Sequence, residues 1–204
     1  MNNEDNSAFH LKHVLSALKT VVPFNAPESV EETRNIARHL AEVVVDAVAY
    51  TSRPWKATRI EASILRAVDE LLSVYNETFT NMSDRVCVNS EKDIVKSLRT
   101  VGQTMIQDKK LHFSLIATYY AFAGVFAKRC KENGKESYVP LIKKTLCAFA
   151  EEEFCDWLDE NGGWKQFVEF FEDPEVERKA LLKGGMLLSA ASLVTMAVYR
   201  VLKS

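Results

Sequence analysis

Residues 113–127 read FSLIATYYAFAGVFA and carry no charged side chain. Such a segment is short for a helix that crosses a membrane, which needs roughly 20 predominantly apolar residues. A helix that is apolar on every side must instead be covered on every side by protein. The segment is therefore predicted to be the central core helix of a bundle, and the rest of the chain must supply the apolar faces that cover it.

Long amphipathic segments flank this central helix. Apolar residues recur at the 3.6-residue period of a helix in the segment that ends before Pro54 and again over residues 55–82. The pattern Ser90-x-x-Asp93 predicts the capped start of a further helix, and residues 138–158 read as one more. With only seven glycines and five prolines, the chain has little room for tight hairpins. The sequence therefore predicts an all-α fold.

Composition and charge narrow the class of protein. A chain of 204 residues with 47% hydrophobic and 26% charged residues is typical of a globular domain. Its net charge of -2 and its lack of a basic stripe argue against a nucleic-acid partner. The four cysteines form no Cys-x-x-Cys pair, which favours reduced thiols in a cytosolic setting.

Motifs that carry chemistry are absent from the sequence. It contains no Gly-x-Ser-x-Gly, no phosphate-binding loop and no His-Glu-x-x-His. His10 and His13 lie three apart on a helical pattern, but no third metal ligand accompanies them. We therefore expect a binding protein and not an enzyme, with no metal and no cofactor.

The two ends of the chain differ from its body. We expect a domain over residues 28–175, an amphipathic extension over 1–27, and a linker and tail helix over 176–204. The extension is interpreted as a packed extra helix, with a mitochondrial presequence as the alternative. Residues 184–199 are uncharged and span about 24 Å as a helix, and snorkelling of the flanking cations would extend the span to residue 202. A C-terminal membrane anchor over 184–202 is predicted; the alternative is a helix docked on the protein's own surface.

A Gly-Gly corner joins two aromatic segments in WLDENGGWKQFVEFF. Asn161-Gly162-Gly163 supplies the left-handed residues that end one helix, and Trp164, Phe167 and Phe171 then lie on one face of the next. The stretch resembles the second homology motif of the B-cell lymphoma-two (Bcl-two) family of apoptosis regulators. The residues that match it are Trp157, Gly162, Gly163, Trp164 and Phe167.

Three further segments resemble homology motifs of the same family, in the family's order. AEVVVDAVAY is similar to the fourth motif through Val44, Val45, Asp46 and Tyr50. SILRAVDELL is similar to the third, or BH-three, motif, with Ile64 at its leucine, Val68 at its glycine and Asp69 at its aspartate. LHFSLIATYYAFAG is similar to the first motif, with His112, Phe113, Ser114 and Leu115 at its Asn-Trp-Gly-Arg. The spacing is most similar to the myeloid-cell-leukaemia branch.

The resemblance implies a helical bundle around a buried helix at 112–130, with a hydrophobic groove that receives the BH-three helix of a partner. The matched positions place one groove wall at Leu71, Tyr75, Thr78, Phe79 and Met82, and the facing wall at Val101 and Met105. They place the floor at His112, Leu115, Thr118 and Phe122, and one closed end at Phe167 and Phe171. The alternative interpretation is that all of these are ordinary core residues.

Two departures from the family pattern bear on function. Val68 adds bulk where a BH-three helix packs closely at glycine, which weakens this chain as a donor helix and leaves its groove untouched. We therefore expect a pro-survival member that sequesters pro-death BH-three proteins. The alternative is a pro-death member that oligomerises and permeabilises the mitochondrial outer membrane. A tail-anchored helical adaptor outside the family is the remaining alternative.

The second departure is Leu115, which replaces the arginine that meets the partner's aspartate. Lys109, Lys110 and His112 are the nearest residues that could take over that role, His112 only when protonated. The expected location is the mitochondrial outer membrane, facing the cytosol, with a cytosolic pool. Whether the protein forms a homo- or hetero-dimer is left open by the sequence.

Overall fold

The computed structural model describes residues 29–86, 88–107 and 111–172. These residues form helices and connecting turns and contain no strand, so the all-α prediction is confirmed. The described part lies inside the domain predicted at 28–175, whereas the extension and the tail lie outside it. The helices are α1 (Val30–Tyr50), α2 (Arg59–Asp84), α3 (Glu91–Gln107), α4 (Phe113–Glu132), α5 (Val139–Glu153), α6 (Cys155–Glu160) and α7 (Gly163–Glu172). A 3-10 turn at Glu136–Tyr138 precedes α5.

Helix α4 is the centre of the bundle, as its uncharged sequence predicts. Every residue from Phe113 to Ala127 is buried. Helices α1, α2 and α5 pack around it. It approaches α1 closely at Gly124, where a Cβ atom would lie 2.9 Å from the side chain of Val48. No helix of the described residues is long and apolar enough to cross a membrane.

Side-chain caps fix where α2 and α3 begin. The hydroxyl of Thr58 accepts a hydrogen bond from the Glu61 N–H, and the Glu61 carboxylate accepts one from the Thr58 N–H. This capping box starts α2 at Arg59 and not at Trp55, so the sequence reading of one helix over 55–82 is wrong in its first turn. Ser90 caps α3 as predicted, although the Asp93 carboxylate returns a bond to the N–H of Asn89 instead of Ser90.

Glu61 also connects α2 to α1. Its carboxylate is buried and lies 2.6 Å from the Nε2 atom of His39. Burial raises the pKa of the Glu61 carboxyl, but the hydrogen bonds from the Thr58 N–H and from His39 lower the pKa by more, and the result is a pKa below the ordinary value. The charged carboxylate therefore stabilises the folded state.

The segment predicted as one helix over 138–158 is divided into α5 and α6 at Phe154. Five residues along a continuous helix turn about 140°, so Phe149 and Phe154 could not point the same way. The break lets both rings reach Tyr119, at centroid distances of 4.6 and 5.7 Å. The phenol of Tyr119 in turn donates a hydrogen bond to the Leu98 carbonyl oxygen at 3.1 Å, which ties α3 to the central helix.

Three of the four cysteines are described, and all three are free. Burial raises the pKa of the Cys130, Cys147 and Cys155 thiols to about 11. These thiols are therefore protonated at neutral pH, and protonated thiols are poor nucleophiles.

Candidate helix-binding groove

The two helices predicted to form the groove walls are held separately by the core. Helix α2 packs against α4 and α7, while α3 packs chiefly against α5. Among the described residues, α2 and α3 make few direct contacts with each other. We refer to the space between these two helices as the gap.

The predicted groove residues fall into two groups by exposure. Those with part of their surface exposed are Tyr75, Thr78, Met105 and His112. The others are buried in the described chain: Leu71, Phe79, Met82, Val101, Leu115, Thr118, Phe122, Phe167 and Phe171. The four partly exposed residues are thus the ones that a partner helix can touch without any rearrangement, and we refer to the buried ones as the buried layer.

Three hydroxyl groups in or near this layer are satisfied within their own helices. Thr118 donates to the Ser114 carbonyl oxygen at 2.6 Å, and Ser83 donates to the Phe79 carbonyl oxygen at 2.9 Å. Thr104 on the facing wall donates to the carbonyl oxygen of Thr100 at 2.8 Å. The polar atoms of these side chains are therefore engaged, and the layer behaves as an apolar surface.

His112 is the N-cap of the central helix. Its Nδ1 atom accepts the N–H of Leu115 at 3.1 Å and lies 2.8 Å from the Ser114 hydroxyl. A ring nitrogen that accepts a hydrogen bond carries no proton, so a doubly protonated His112 would lose this cap. The geometry thus argues against the sequence hypothesis that a protonated His112 replaces the missing arginine. Lys109 and Lys110 lie outside the described residues.

The Gly-Gly corner brings α7 back onto the bundle, as the sequence predicts. Gly162 and Gly163 have φ angles of 89° and 68°, in the left-handed region that favours glycine. The reversal buries Trp164 completely, and its indole N–H donates to the Thr33 carbonyl oxygen on α1 at 3.0 Å. The corner therefore positions a tryptophan that holds α7 to α1.

The first and second motifs meet at Phe113. Its ring lies 5.0 Å from that of Trp157, 5.9 Å from Phe167 and 5.4 Å from Phe170, measured between centroids. Phe167 in turn lies 4.7 Å from Phe171. Edge-on and tilted aromatic contacts of this kind stabilise a cluster beyond its buried area. The cluster closes the bundle at the start of α4, next to the gap.

The chain's own BH-three-like motif is folded into the core. Ile64 and Val68 are completely buried, so the apolar face of α2 is not presented to a partner. Asp69 lies on the exposed side of α2, where the guanidinium of Arg53 binds its carboxylate at 2.7 Å. Presentation of this motif would require α2 to leave the bundle.

The contact that positions α3 against α5 has no recognisable signal in the sequence. The Phe149 ring lies under Gly102, and a Cβ atom there would lie 2.4 Å from the tip of that ring. Arg99, one turn earlier on α3, binds both oxygens of Glu152 at 2.7 and 2.8 Å. Arg99 and Gly102, three residues apart on α3, thus both contact α5. This pairing can be recognised only when the facing helix is known.

A cavity lies outside the predicted groove. It has a volume of about 410 Å³ and is lined by Ser83, Asp84, Val86, Val88, Asn89, Phe126, Arg129, Cys130, Asn133 and Lys135. Its arginine is bound by Asp84 and Glu132, and its lysine donates to the Val88 carbonyl oxygen. None of the predicted groove residues lines it. No cluster of metal-ligating residues occurs in the described part of the chain.

Comparison with known proteins places this architecture. Residues 64–164 match the family model described as apoptosis regulator proteins of the Bcl-2 family. Over 74 residues the chain is 31% identical to anti-apoptotic protein NR13 of Gallus gallus, covering 36% of this chain and 42% of that protein. Over 139 residues it is 19% identical to apoptosis regulator R1 of Xenopus laevis, covering 68% of this chain and 60% of that protein. The chain thus spans about half the length of the curated relatives it matches.

Solved structures with the same fold cover most of the described part. The zebrafish pro-survival protein NRZ superimposes with a TM-score of 0.61 at 23% identity, covering 69% of this chain and 94% of that one. Its complex with a Bad BH3 segment gives 0.59 at 21% identity and covers 68% and 93%. Chicken BOK gives 0.60 at 18% identity and covers 70% and 98%.

The fold is therefore that of the apoptosis-regulator bundles, an all-helical domain built around a buried central helix. The sequence match carries the assignment further: residues 64–164, about half of the chain, form a segment of the Bcl-2 family, and the chain is similar in sequence to NR13.

Proposed function

We propose that this protein is a pro-survival regulator of apoptosis that sequesters the BH-three helices of pro-death proteins in the gap between α2 and α3. The anti-apoptotic relative NR13 and the pro-survival protein NRZ support the direction of the activity. The solved complex of NRZ with a Bad BH3 segment supports the kind of partner. The family consists of regulators, which agrees with a protein that acts by binding.

The observation that carries the proposal is the separation of the two wall helices. Both α2 and α3 are fixed to the core, yet they hardly touch each other among the described residues. A gap of this kind exposes the partly buried Tyr75 and Met105 along an otherwise apolar floor. An amphipathic helix that inserts apolar anchors into the gap covers that surface, which is the helix-in-groove mode of recognition.

Burial of the chain's own BH-three-like face argues against the pro-death alternative. Ile64, Val68 and Leu71 are completely buried, so exposing α2 would remove all three from the core. Exposure of one such side chain costs about 1.5–3 kcal/mol, and three together approach the whole stability of a small domain. The groove needs no such opening to act.

Calorimetry of a chain lacking residues 184–204 against a panel of BH-three peptides tests the proposal. At least one peptide should bind with a dissociation constant below ~1 μM, which corresponds to about -8 kcal/mol. Tyr75→Ala should weaken that binding at least fivefold, because it removes a ring at the edge of the gap. Val74→Ala is the matched control, since the neighbouring Val74 side chain is 65% exposed on α2. Absence of binding across the panel contradicts the proposal.

The C-terminal run 184–202 is proposed to anchor the protein in the mitochondrial outer membrane, with the bundle in the cytosol and a cytosolic pool in exchange. The support is the uncharged sequence of residues 184–199. Deleting 184–204 should release the protein from mitochondria in cell fractionation. A truncated chain that still sediments with membranes contradicts the anchor. The likeness to the myeloid-cell-leukaemia branch and the question of a dimer stay predictions.

A further inference from the structure

The connection between α1 and α2 exposes a tryptophan. Trp55 is 95% exposed, whereas the tryptophans of the second motif are half-buried at Trp157 and completely buried at Trp164. An indole ring has a large apolar surface and one N–H donor, a combination that favours the boundary between lipid and water. A ring left this open in the folded chain is available to a ligand.

The residues around Trp55 are cationic. Residues 51–60 contain Arg53, Lys56 and Arg59 and no acidic side chain, in a chain whose net charge is -2. Arg53 is bound by Asp69 and Arg59 by Glu172, while Lys56 is exposed and forms no ion pair within the described residues. A free cation beside an exposed indole complements a surface of anionic lipid phosphates.

The connection lies beside the end of α7. The Arg59 guanidinium binds both oxygens of Glu172, at 2.7 and 2.5 Å, and Glu172 ends α7. Arg66, two turns along α2, donates to the carbonyl oxygen of Phe171. The end of α7, which the proposed anchor segment follows in the sequence, therefore lies close to the connection that carries Trp55.

We propose that residues 51–59 form a peripheral membrane contact, in which Trp55 enters the headgroup layer of an anionic bilayer and Lys56 lies at its phosphates. The carboxylates of Asp69 and Glu172, which bind Arg53 and Arg59, reduce the local positive charge. Insertion of the indole therefore supplies most of the interaction, and charge contributes the smaller part. The contact fixes how the bundle is turned relative to the bilayer, a role separate from binding BH-three helices.

Tryptophan quenching in the full-length protein tests this inference. The protein is mixed with vesicles of phosphatidylcholine and phosphatidylserine that carry a quencher either near the headgroups or deep in the acyl region. We expect quenching by the shallow label and little by the deep label, and a loss of more than half of the shallow quenching in Trp55→Phe. Trp157→Phe, the control for tryptophan loss, should retain the quenching.

Charge variants measure how much the Lys56 cation contributes to the membrane contact. Lys56→Gln should reduce the shallow quenching, while Lys92→Gln, which removes an exposed lysine of α3, should leave it unchanged. Equal quenching of Trp55→Phe and the unaltered chain overturns the inference. So does protection of Trp55 from acrylamide in the absence of lipid, because the ring would then be covered by protein. Affinity for BH-three peptides should not change in Trp55→Phe, so failure of this contact is distinguishable from failure of the groove.

Discussion

The packing of α3 against α5 can be tested by adding one carbon atom at Gly102. In Gly102→Ala the new Cβ would lie 2.4, 2.6 and 2.9 Å from three atoms of the Phe149 ring. Real Cβ atoms do not approach carbon so closely, so either the ring or α3 must move. Phe149 is completely buried and lies 4.6 Å from the ring of Tyr119, which leaves the ring little freedom.

Two opposing effects set the magnitude. Overpacking a core of this kind costs about 1–3 kcal/mol. Alanine in a helix interior is more favourable than glycine by about 0.5–1 kcal/mol. The expected net loss in the free energy of unfolding is therefore about 0.5–2 kcal/mol, and α3 should shift outward. Because α3 is one wall of the gap, the affinity for a BH-three peptide should change as well.

Urea denaturation and peptide calorimetry measure the two effects. The midpoint of unfolding should fall in Gly102→Ala while the slope with urea stays the same. Phe149→Leu makes room for the new carbon, so the double variant should recover about 1 kcal/mol relative to the sum of the single variants. Gly134→Ala is the control: Gly134 has a φ of 71° with nothing near its Cβ position, so its cost should show no coupling to Phe149. If Gly102→Ala stabilises the protein without coupling to Phe149, the reasoning is refuted.

Other consequences can be checked with single changes. Glu61→Gln should lower stability at pH 7 by about 1–2 kcal/mol. Since the pKa of this carboxyl is lower in the folded state, its contribution to stability is complete above the unfolded pKa and is lost as pH falls through the folded pKa. The difference in stability between variant and parent in urea titrations should therefore vanish in acid. Trp164→Phe removes the hydrogen bond to α1 and should cost about 1–3 kcal/mol in the same assay. Because Leu115 carries no charge, replacing the aspartate of a bound BH-three peptide with alanine should cost less than about 1 kcal/mol by calorimetry. A 58–82 peptide should bind pro-survival relatives weakly, and Val68→Gly should strengthen it; equal affinities would remove the argument from Val68.

Structural features that depend on residues close together in the chain could be predicted from the sequence. The uncharged run 113–127 required a buried central helix, and Asn161-Gly162-Gly163 required a left-handed turn before Trp164. The true start of α2 was also present in the sequence, because Thr58 and Glu61 have the spacing of a capping box. The apolar period extends back to Trp55 and predicts an earlier start, whereas the capping box begins the helix at Arg59.

Features that depend on a facing helix could not be predicted in this way. The break at Phe154 follows from two rings that reach Tyr119 on α4. The distance between α3 and α5 is set by the Phe149 ring packed against Gly102, and these two residues lie far apart in the chain. A residue's burial in the groove likewise depends on its partners, which is why Leu115 was expected at the surface of the floor and is 3% exposed.

The way the walls are held indicates what the groove can discriminate. Helix α2 is fixed at its start by the capping box and along its length by α4 and α7. Among the described residues, α3 is held by α4 through the Leu98 carbonyl, and by α5 through the Arg99 guanidinium and the contact at Gly102. A change in how α3 packs on α5 therefore changes the width of the gap. With Leu115 buried and uncharged, position 115 supplies no cation to fix the register of an incoming helix. Selection among partners then depends on how well their apolar anchors fit a gap whose width a small shift of α3 can alter.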